Sequence, residues 1–333
     1  MPYISDKFVG AWWLFVLLAP QAHAQNWTPL FDGKTLSGWR VLGGQSKFEV
    51  RDGILTGTSA PNSEHTFLVT EHSYGDFILE YEFLVDSEMN SGVQIRSHSD
   101  PAYQGGKVFG LQVEIDGDLR TRRFWTGGIF DQTRRGWLAD LAQNEPARNA
   151  FKPGEWNHMR VVALGDSIRT WINGVPAADL VDSADLEGFI ALQVHQNRSQ
   201  TPVHLAFRNL RLQDFGQSGW RRMRPDQQPA GDFTLRYSPR LSETLQFRGL
   251  RLTGAGVLSG ATGVVLARPT PQPGVKPLAS DGAKRMTVSL HEGRLVIHSD
   301  GVRIIDIRRA IRPEGPIVFS GRVELLTTPD GSP

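Results

Sequence analysis

Between Phe48 and Leu212 the sequence is cut into short runs rich in Val, Ile, Phe and Thr, each closed by a turn signal, and the helical period is almost absent. Phe77 to Leu84, Gly92 to Ser97 and Gly110 to Asp116 are three such runs. His158 to Leu164, Ser167 to Asn173, Gly188 to His195 and Val203 to Leu212 continue the series. Asn173-Gly174 sits between Thr170-Trp171-Ile172 and Val175, where a two-residue type I′ turn needs positive φ at both central positions. This pattern predicts an all-β chain, a sandwich of two antiparallel sheets. Residues 138–151 have room for one helical turn, but Pro146 and Pro153 forbid a long helix, and the stretch reads as an ordered loop.

After Asp214 the texture changes. Residues 216–230 read as a linker, and residues 231–326 as a β-rich extension or small second β domain of unassigned role. Its expected strands are Phe233 to Tyr237, Leu245 to Leu252, Arg285 to Leu290, Arg294 to His298 and Val302 to Ile307. Pro269 to Pro277 reads as a disordered loop and residues 327–333 as a disordered tail.

At the other end, Lys7 precedes an apolar stretch from Phe8 to Ala19, and Ala22 and Ala24 supply the small residues of a cleavage site. Residues 1–24 therefore read as a signal peptide, too short in its apolar part to span a bilayer. A periplasmic or secreted protein is expected, with no membrane contact after cleavage. The chain has no cysteine, hence no disulfide, thiolate nucleophile or cysteine-bound metal. Lys plus Arg number 36 against 35 for Asp plus Glu, with no run of either sign, which argues against a nucleic-acid partner.

Face alternation picks out candidate chemistry. Gln112, Glu114 and Asp116 share one face of their strand, opposite Val113 and Ile115. Gln94 and Arg96 likewise oppose Val93 and Ile95, and Gln193 and His195 oppose Leu192 and Val194. Any antiparallel sheet has a polar outer face. Three strands bearing amides, carboxylates, a guanidinium and an imidazole instead suggest a sugar-sized polar groove. Trp125 and Trp137 offer surfaces for a pyranose, and Arg134 a polar contact, while Arg135 reads as a partner in a salt-bridged loop with Asp131. His65, His72, His98, His158, His195 and His204 form no compact metal-ligating pair, so no cofactor is expected, and a divalent metal stays open without support from the spacing.

Several strings then become recognisable together: Leu30-Phe31-Asp32-Gly33-Lys34-Thr35-Leu36-Ser37-Gly38-Trp39, Asn90-Ser91-Gly92 and Gln112-Val113-Glu114-Ile115-Asp116. Thr126-Gly127-Gly128-Ile129, Phe151-Lys152-Pro153-Gly154-Glu155-Trp156-Asn157, Trp171-Ile172-Asn173-Gly174 and Phe189 to His195 add to them. With these, residues 27–212 resemble the 3-keto-disaccharide hydrolase domain family. The resemblance implies a concanavalin-like jelly roll over residues 25–215, places Asn90 among the substrate-binding residues, and leaves residues 220–333 unexplained. Phe130 departs from the family pattern, which carries tyrosine there, and puts substrate choice in question.

The implied activity is cleavage of glycosides oxidised at C3. The ketone acidifies the C2 proton, a base removes it, and the glycosidic oxygen leaves before water adds. On this reading Glu114 or His195 is the base, Arg96 with Gln193 holds the oxyanion, and Asp116 orients a partner or protonates the leaving group. Two alternatives stand beside it. Glu114-Ile115-Asp116-Gly117-Asp118 is similar to a laminarinase-type signature, whose two carboxylates must lie about 5–5.5 Å apart. The face also suits a carbohydrate-binding module without catalysis.

Overall fold

Where apolar residues recur every second position, one face of each strand must be buried against another layer, and two sheets stacked face to face satisfy that for every strand at once. The computed structural model describes residues 27–86, 89–118, 123–224, 233–237, 244–247, 250–253, 256–260, 265–278, 285–291, 294–308, 317–319, 323–327 and 329. The expected signal peptide, residues 225–230 of the expected linker, and the expected tail apart from Thr327 and Pro329 lie outside them.

The first unit begins with β1 (Thr28–Pro29), β2 (Trp39–Gly43), β3 (Lys47–Arg51), β4 (Ile54–Thr58) and β5 (Thr66–Tyr74). It continues through β6 (Asp76–Val85), β7 (Asn90–Ser99), β8 (Val108–Asp116), β9 (Ile129–Gln132) and β10 (Gly136–Ala139) to α1 (Glu145–Ala150). Strands β11 (Asn157–Leu164), β12 (Ser167–Ile172), β13 (Val175–Val181), β14 (Gly188–Val194) and β15 (His204–Gly216) complete it. One sheet has the order β13-β12-β11-β6-β15-β4-β3, with β1 also on β15; the other, which carries the candidate site, runs β10-β9-β8-β7-β14-β5-β2. The chain is all-β with a concanavalin-like sandwich, as its alternation implies.

Between these sheets lies the main core, with Val93, Ile95, Leu111, Val113, Ile115, Ile190, Leu192 and Val194 from the site-bearing sheet and Leu79, Tyr81, Phe83, Val161 and Phe207 from its partner. Each such side chain contributes about 1.5–3 kcal/mol by leaving water. Asn173 and Gly174 both have positive φ, 48° and 81°, in the turn joining β12 to β13. Residues 138–151 depart from the expected loop: β10 ends there and α1 comes after it. Asn144 caps that helix by accepting from the Ala147 N–H, and Pro146 falls in the first turn, where its missing N–H costs nothing.

The second unit comprises β16 (Gly219–Arg222), β17 (Phe233–Tyr237), β18 (Thr244–Phe247), β19 (Leu250–Thr253), β20 (Leu258–Gly260) and β21 (Val265–Ala267). It ends with β22 (Met286–His291), β23 (Arg294–Ser299), β24 (Val302–Ile307), β25 (Ile317–Phe319) and β26 (Val323–Thr327). These strands form two antiparallel sheets, β16-β26-β17-β22-β23-β24 and β21-β20-β19-β18-β25, with a separate core that includes Leu235, Leu252, Val288 and Ile297. Three expectations change here. The supposed linker is partly strand, because β16 pairs with β26 and Met223 is buried in the second core. The run Leu245 to Leu252 is two paired strands, with Leu245 opposite Leu252. Pro269 to Pro277 is not disordered: the Thr270 and Gln272 N–H groups donate to the Ile304 and Arg303 carbonyls at 2.9 and 3.0 Å. Among the described residues no helix is long and apolar enough to cross a membrane.

Candidate functional site

Because Val93, Val113 and Leu192 point into the core, their neighbours in sequence point to the outer face of the site-bearing sheet. The register then forms rows across the strands. Gln193 lies opposite Gly92, which lies opposite Glu114; Ala191 lies opposite Gln94, Gln112 and Phe130 in turn; Asn90 lies opposite Asp116. Gly92 leaves the centre of this face open. A Cβ there would stand 2.5 Å from Gln112 Cγ and Cδ, so the absence of a side chain is what lets Gln112 lie across β7.

Through that gap runs an amide ladder. Ser97 Oγ donates to Gln94 Oε1 at 2.9 Å, Gln94 Nε2 to Gln112 Oε1 at 2.7 Å, and Gln112 Nε2 to Glu114 Oε2 at 2.8 Å. Asn90 Nδ2 donates to the other carboxylate oxygen, Glu114 Oε1. Gln94, Gln112, Glu114 and Asp116 are each at most 3% exposed, so the expected open groove is a closed polar layer at this point. Burial pushes the Glu114 carboxyl up to about 7, helped by Asp116 and opposed by the Asn90 and Gln112 hydrogen bonds and by Arg123.

His195 comes just after the end of β14 and is half-buried. Its Nδ1 faces the Gln196 carbonyl at 3.0 Å, which assigns the proton to Nδ1 and leaves Nε2 as the basic nitrogen. The His65 ring stands edge-on to it at 4.5 Å between centroids, and His65 Nδ1 accepts from the Gln196 N–H at 3.1 Å. Burial lowers the His195 pKa, and burial with the neighbouring His195 brings His65 to about 4. A cavity of about 580 Å³ opens here, lined by Asn90, Asp118, His195, Asn197 and Ser199 among others. Asn90 thus links the cavity to Glu114. The Gln193 amide is fully buried, and neither its oxygen nor its nitrogen has a hydrogen-bond partner among the described residues.

On the β8 side an aromatic wall rises. Trp125 and Trp137 meet edge to face at 4.8 Å, Phe130 meets Trp137 at 5.2 Å, and the Arg123 guanidinium lies over both indoles at 4.7 and 5.3 Å. Asp116 holds this wall rather than facing a leaving group, because its Oδ2 accepts from Arg123 Nε at 2.9 Å and from the Trp125 N–H at 3.2 Å. Thr126-Gly127-Gly128 extends the sheet, since the Glu114 N–H donates to the Gly128 carbonyl and the Gly127 N–H to the Glu114 carbonyl, both at 2.9 Å. Beyond Asp116 the strand ends, which takes Asp118 out of the alternating row that a laminarinase-type reading requires.

Two expected site residues lie elsewhere. Arg96 does not share the face of Gln94: it is the extra residue of a β-bulge in β7, with φ 46°, where the register shifts against both β8 and β14. The bulge turns its guanidinium inward, to donate to the Gly75 and Gly165 carbonyls at 2.7 and 2.6 Å and to Asp76 Oδ1 at 2.9 Å. Gly188 permits this, for a Cβ there would stand 2.5 Å from the Arg96 carbonyl carbon. Arg134 is committed to Asp131 at 2.8 Å and to Asp185, and its guanidinium covers Phe109. Arg135, by contrast, is the buried ion-pair residue that the sequence suggests, held by Asp131 and Asp182. Sequence reasoning passes over Arg123, which lies outside the strand runs, between β8 and β9, and His65, whose place beside His195 comes from the pairing of β5 with β14. Among the described residues no three His, Asp or Glu side chains converge as metal ligands.

Comparison with known proteins adds a family to this geometry. Residues 26–213 match the 3-keto-alpha-glucoside-1,2-lyase-like domain. A solved putative glycosyl hydrolase from Parabacteroides distasonis is 20% identical, with 60% of this chain and 98% of that chain covered and a TM-score of 0.41. A carbohydrate-binding module from Bacillus subtilis is 15% identical over 53% of this chain and 96% of that one, with a TM-score of 0.36. A β-1,3-1,4-glucanase derived from a mouse hindgut metagenome is 11% identical over 57% and 98%, with a TM-score of 0.39. No curated protein matches the chain.

Proposed function

The chain belongs to the 3-keto-alpha-glucoside-1,2-lyase-like domain family, and on that premise we propose that its outer face cleaves glycosides already oxidised at C3 of the sugar. The observation that carries this reading is the buried Glu114 carboxyl, poised near neutrality and joined through Asn90 to a cavity where His195 presents a neutral ring nitrogen. A carboxylic acid joined through Asn90 to the cavity that holds a basic nitrogen supplies the acid and the base that elimination from a 3-keto sugar requires.

In the proposed sequence His195 Nε2 takes the C2 proton, and the electron pair moves into the enolate of the C3 carbonyl. The unpartnered Gln193 amide donates to that oxygen as charge develops. Collapse of the enolate forms the C1=C2 bond and expels the glycosidic oxygen, which takes the Glu114 proton. Water then adds at C1, giving a proton to the Glu114 carboxylate, while the imidazolium returns its proton to C2. The aromatic wall of Trp125, Trp137 and Phe130 offers the sugar ring an apolar surface. Arg96 has no part in the chemistry, and Asp116 acts through Arg123. An exported location suits the expected signal peptide and belongs to the same proposal.

Purified protein incubated with matched 3-keto and unoxidised glucosides tests the reading. Cleavage restricted to the 3-keto compound, with deuterium entering C2 in heavy water, is the expected result. Cleavage of the unoxidised glycoside would favour displacement at C1, and binding without turnover of either would favour a recognition module. His195→Ala should lose about 10²–10⁴-fold in kcat, and Gln193→Ala roughly 10²-fold.

A further inference from the structure

Trp137 stands on β10, the outermost strand of the site-bearing sheet, whose far edge has no strand to pair with among the described residues. An open edge leaves carbonyl and N–H groups to be satisfied from elsewhere. The second unit supplies partners. Gln272 Nε2 donates to the Leu138 carbonyl at 3.0 Å and lies 3.5 Å from that of Trp137, and the Lys276 N–H donates to the Arg135 carbonyl at 3.4 Å. Val275 packs against the main core.

Residues 268–278 are themselves braced. Their backbone bonds to Ile304, Arg303 and Asp300 at 2.9–3.0 Å, and Pro269, Pro271, Pro273 and Pro277 restrict the chain between those anchors. Arg135 adds a second tie, donating through Nη1 to the Gly301 carbonyl at 2.9 Å. Whatever fixes β10 fixes Trp137, and through it the edge-to-face packing with Trp125 and Phe130 and the Arg123 guanidinium paired with Asp116.

We propose that the C-terminal β unit is a positioning element for the site: its proline-rich segment, through Gln272, sets the place of Trp137 and hence the aromatic surface on which the sugar packs. This rests on reading that face as a sugar site, and it gives the unit that the family match leaves uncovered a function in substrate recognition. Gln272 is a positioning residue, not a catalytic one, since among the described residues its side chain bonds to backbone carbonyls.

Two substitutions in the full-length protein separate this from a general loss of docking. Gln272→Glu keeps the shape but sets an acceptor against two carbonyl oxygens, whereas Arg294→Met removes another tie between the units, the 3.0 Å contact with Asp179. Gln272→Glu should raise KM for a 3-keto-glucoside by roughly 5–20-fold with kcat within about twofold, and should weaken the far-ultraviolet circular-dichroism couplet of the paired indoles. Arg294→Met should change neither. Unchanged KM and couplet in folded Gln272→Glu, or an equal change in Arg294→Met, overturns the proposal. If the wild type turns over no 3-keto-glycoside the functional reading fails, and the couplet still decides whether Gln272 holds the wall.

Discussion

Glu114 is shut away from solvent, and among the described residues its hydrogen-bond donors are neutral, Asn90 and Gln112, so the ionised carboxyl lacks the compensation that a cation in contact would give. With a folded value of about 7 against 4.5 ordinarily, the folded chain keeps a proton that the unfolded chain has released. Its contribution to stability is therefore fully present below about pH 4.5 and is lost as pH rises through about 7. Glu114→Gln should raise the thermal midpoint at pH 8 relative to pH 5 by an amount equivalent to about 2–3 kcal/mol while abolishing turnover, measurable by calorimetry beside an assay. The pH profile also assigns the acid and the base. With His195 as base and Glu114 as acid, kcat falls above about pH 7; with Glu114 as base, it rises through the same value. At Arg96 the expectation is structural: Arg96→Met leaves Asp76 buried without its cation and should cost about 3–5 kcal/mol in denaturant unfolding.

At the scale of elements, β7 does two jobs that pull against each other. Its first half must stay regular so that Asn90, Gly92 and Gln94 face outward in register with β8, while its second half bulges at Arg96 to send a cation to the opposite sheet. The consequence is that Gln94, a residue of the ladder, lies two positions from a residue of the interior. Gly92→Ala should expose how tightly the ladder is fitted. The added methyl would meet Gln112 at 2.5 Å, so it should cost about 1–3 kcal/mol. By displacing a donor from Glu114 it should also move the inflection of the pH–rate profile upward. An unmoved inflection in a folded variant would show that the Gln112 hydrogen bond does not tune Glu114.

For the whole molecule, the two β units meet through buried polar groups. Asp166, in the turn between β11 and β12, accepts from Ser289 Oγ at 2.6 Å and Thr234 Oγ1 at 2.8 Å and pairs with His291 Nε2 at 2.8 Å. Burial opposes its charge, but these partners win and hold its pKa below the ordinary 3.8. The contact therefore stabilises docking above that ordinary value and is lost as pH falls through the lowered one. Asp166→Ala should cost on the order of 3 kcal/mol and make the junction between the units a site of limited proteolysis at neutral pH. Intact wild-type behaviour would show that the units are held by other contacts alone.

Period-two alternation was enough to specify strands β6, β7, β8, β11, β12 and β14, the type of turn at Asn173-Gly174, and the outward placement of Glu114, Gln112, Gln193 and Gln94. The reason is that each of these depends on a strand's own sequence or on its nearest turn. Arg96 shows where that reasoning stops: a bulge is a relation between strands, and one extra residue reverses the face of every later residue in its strand. The same holds for Arg123 over the two indoles, for His65 beside His195, and for Gln272 against β10, whose partners are brought together only by folding. The amino-acid sequence by itself determined which faces would be polar, because side-chain direction is local. Which polar groups would be buried, paired or left to meet a substrate was decided by the tertiary structure, because desolvation and hydrogen bonding depend on what distant segments place alongside.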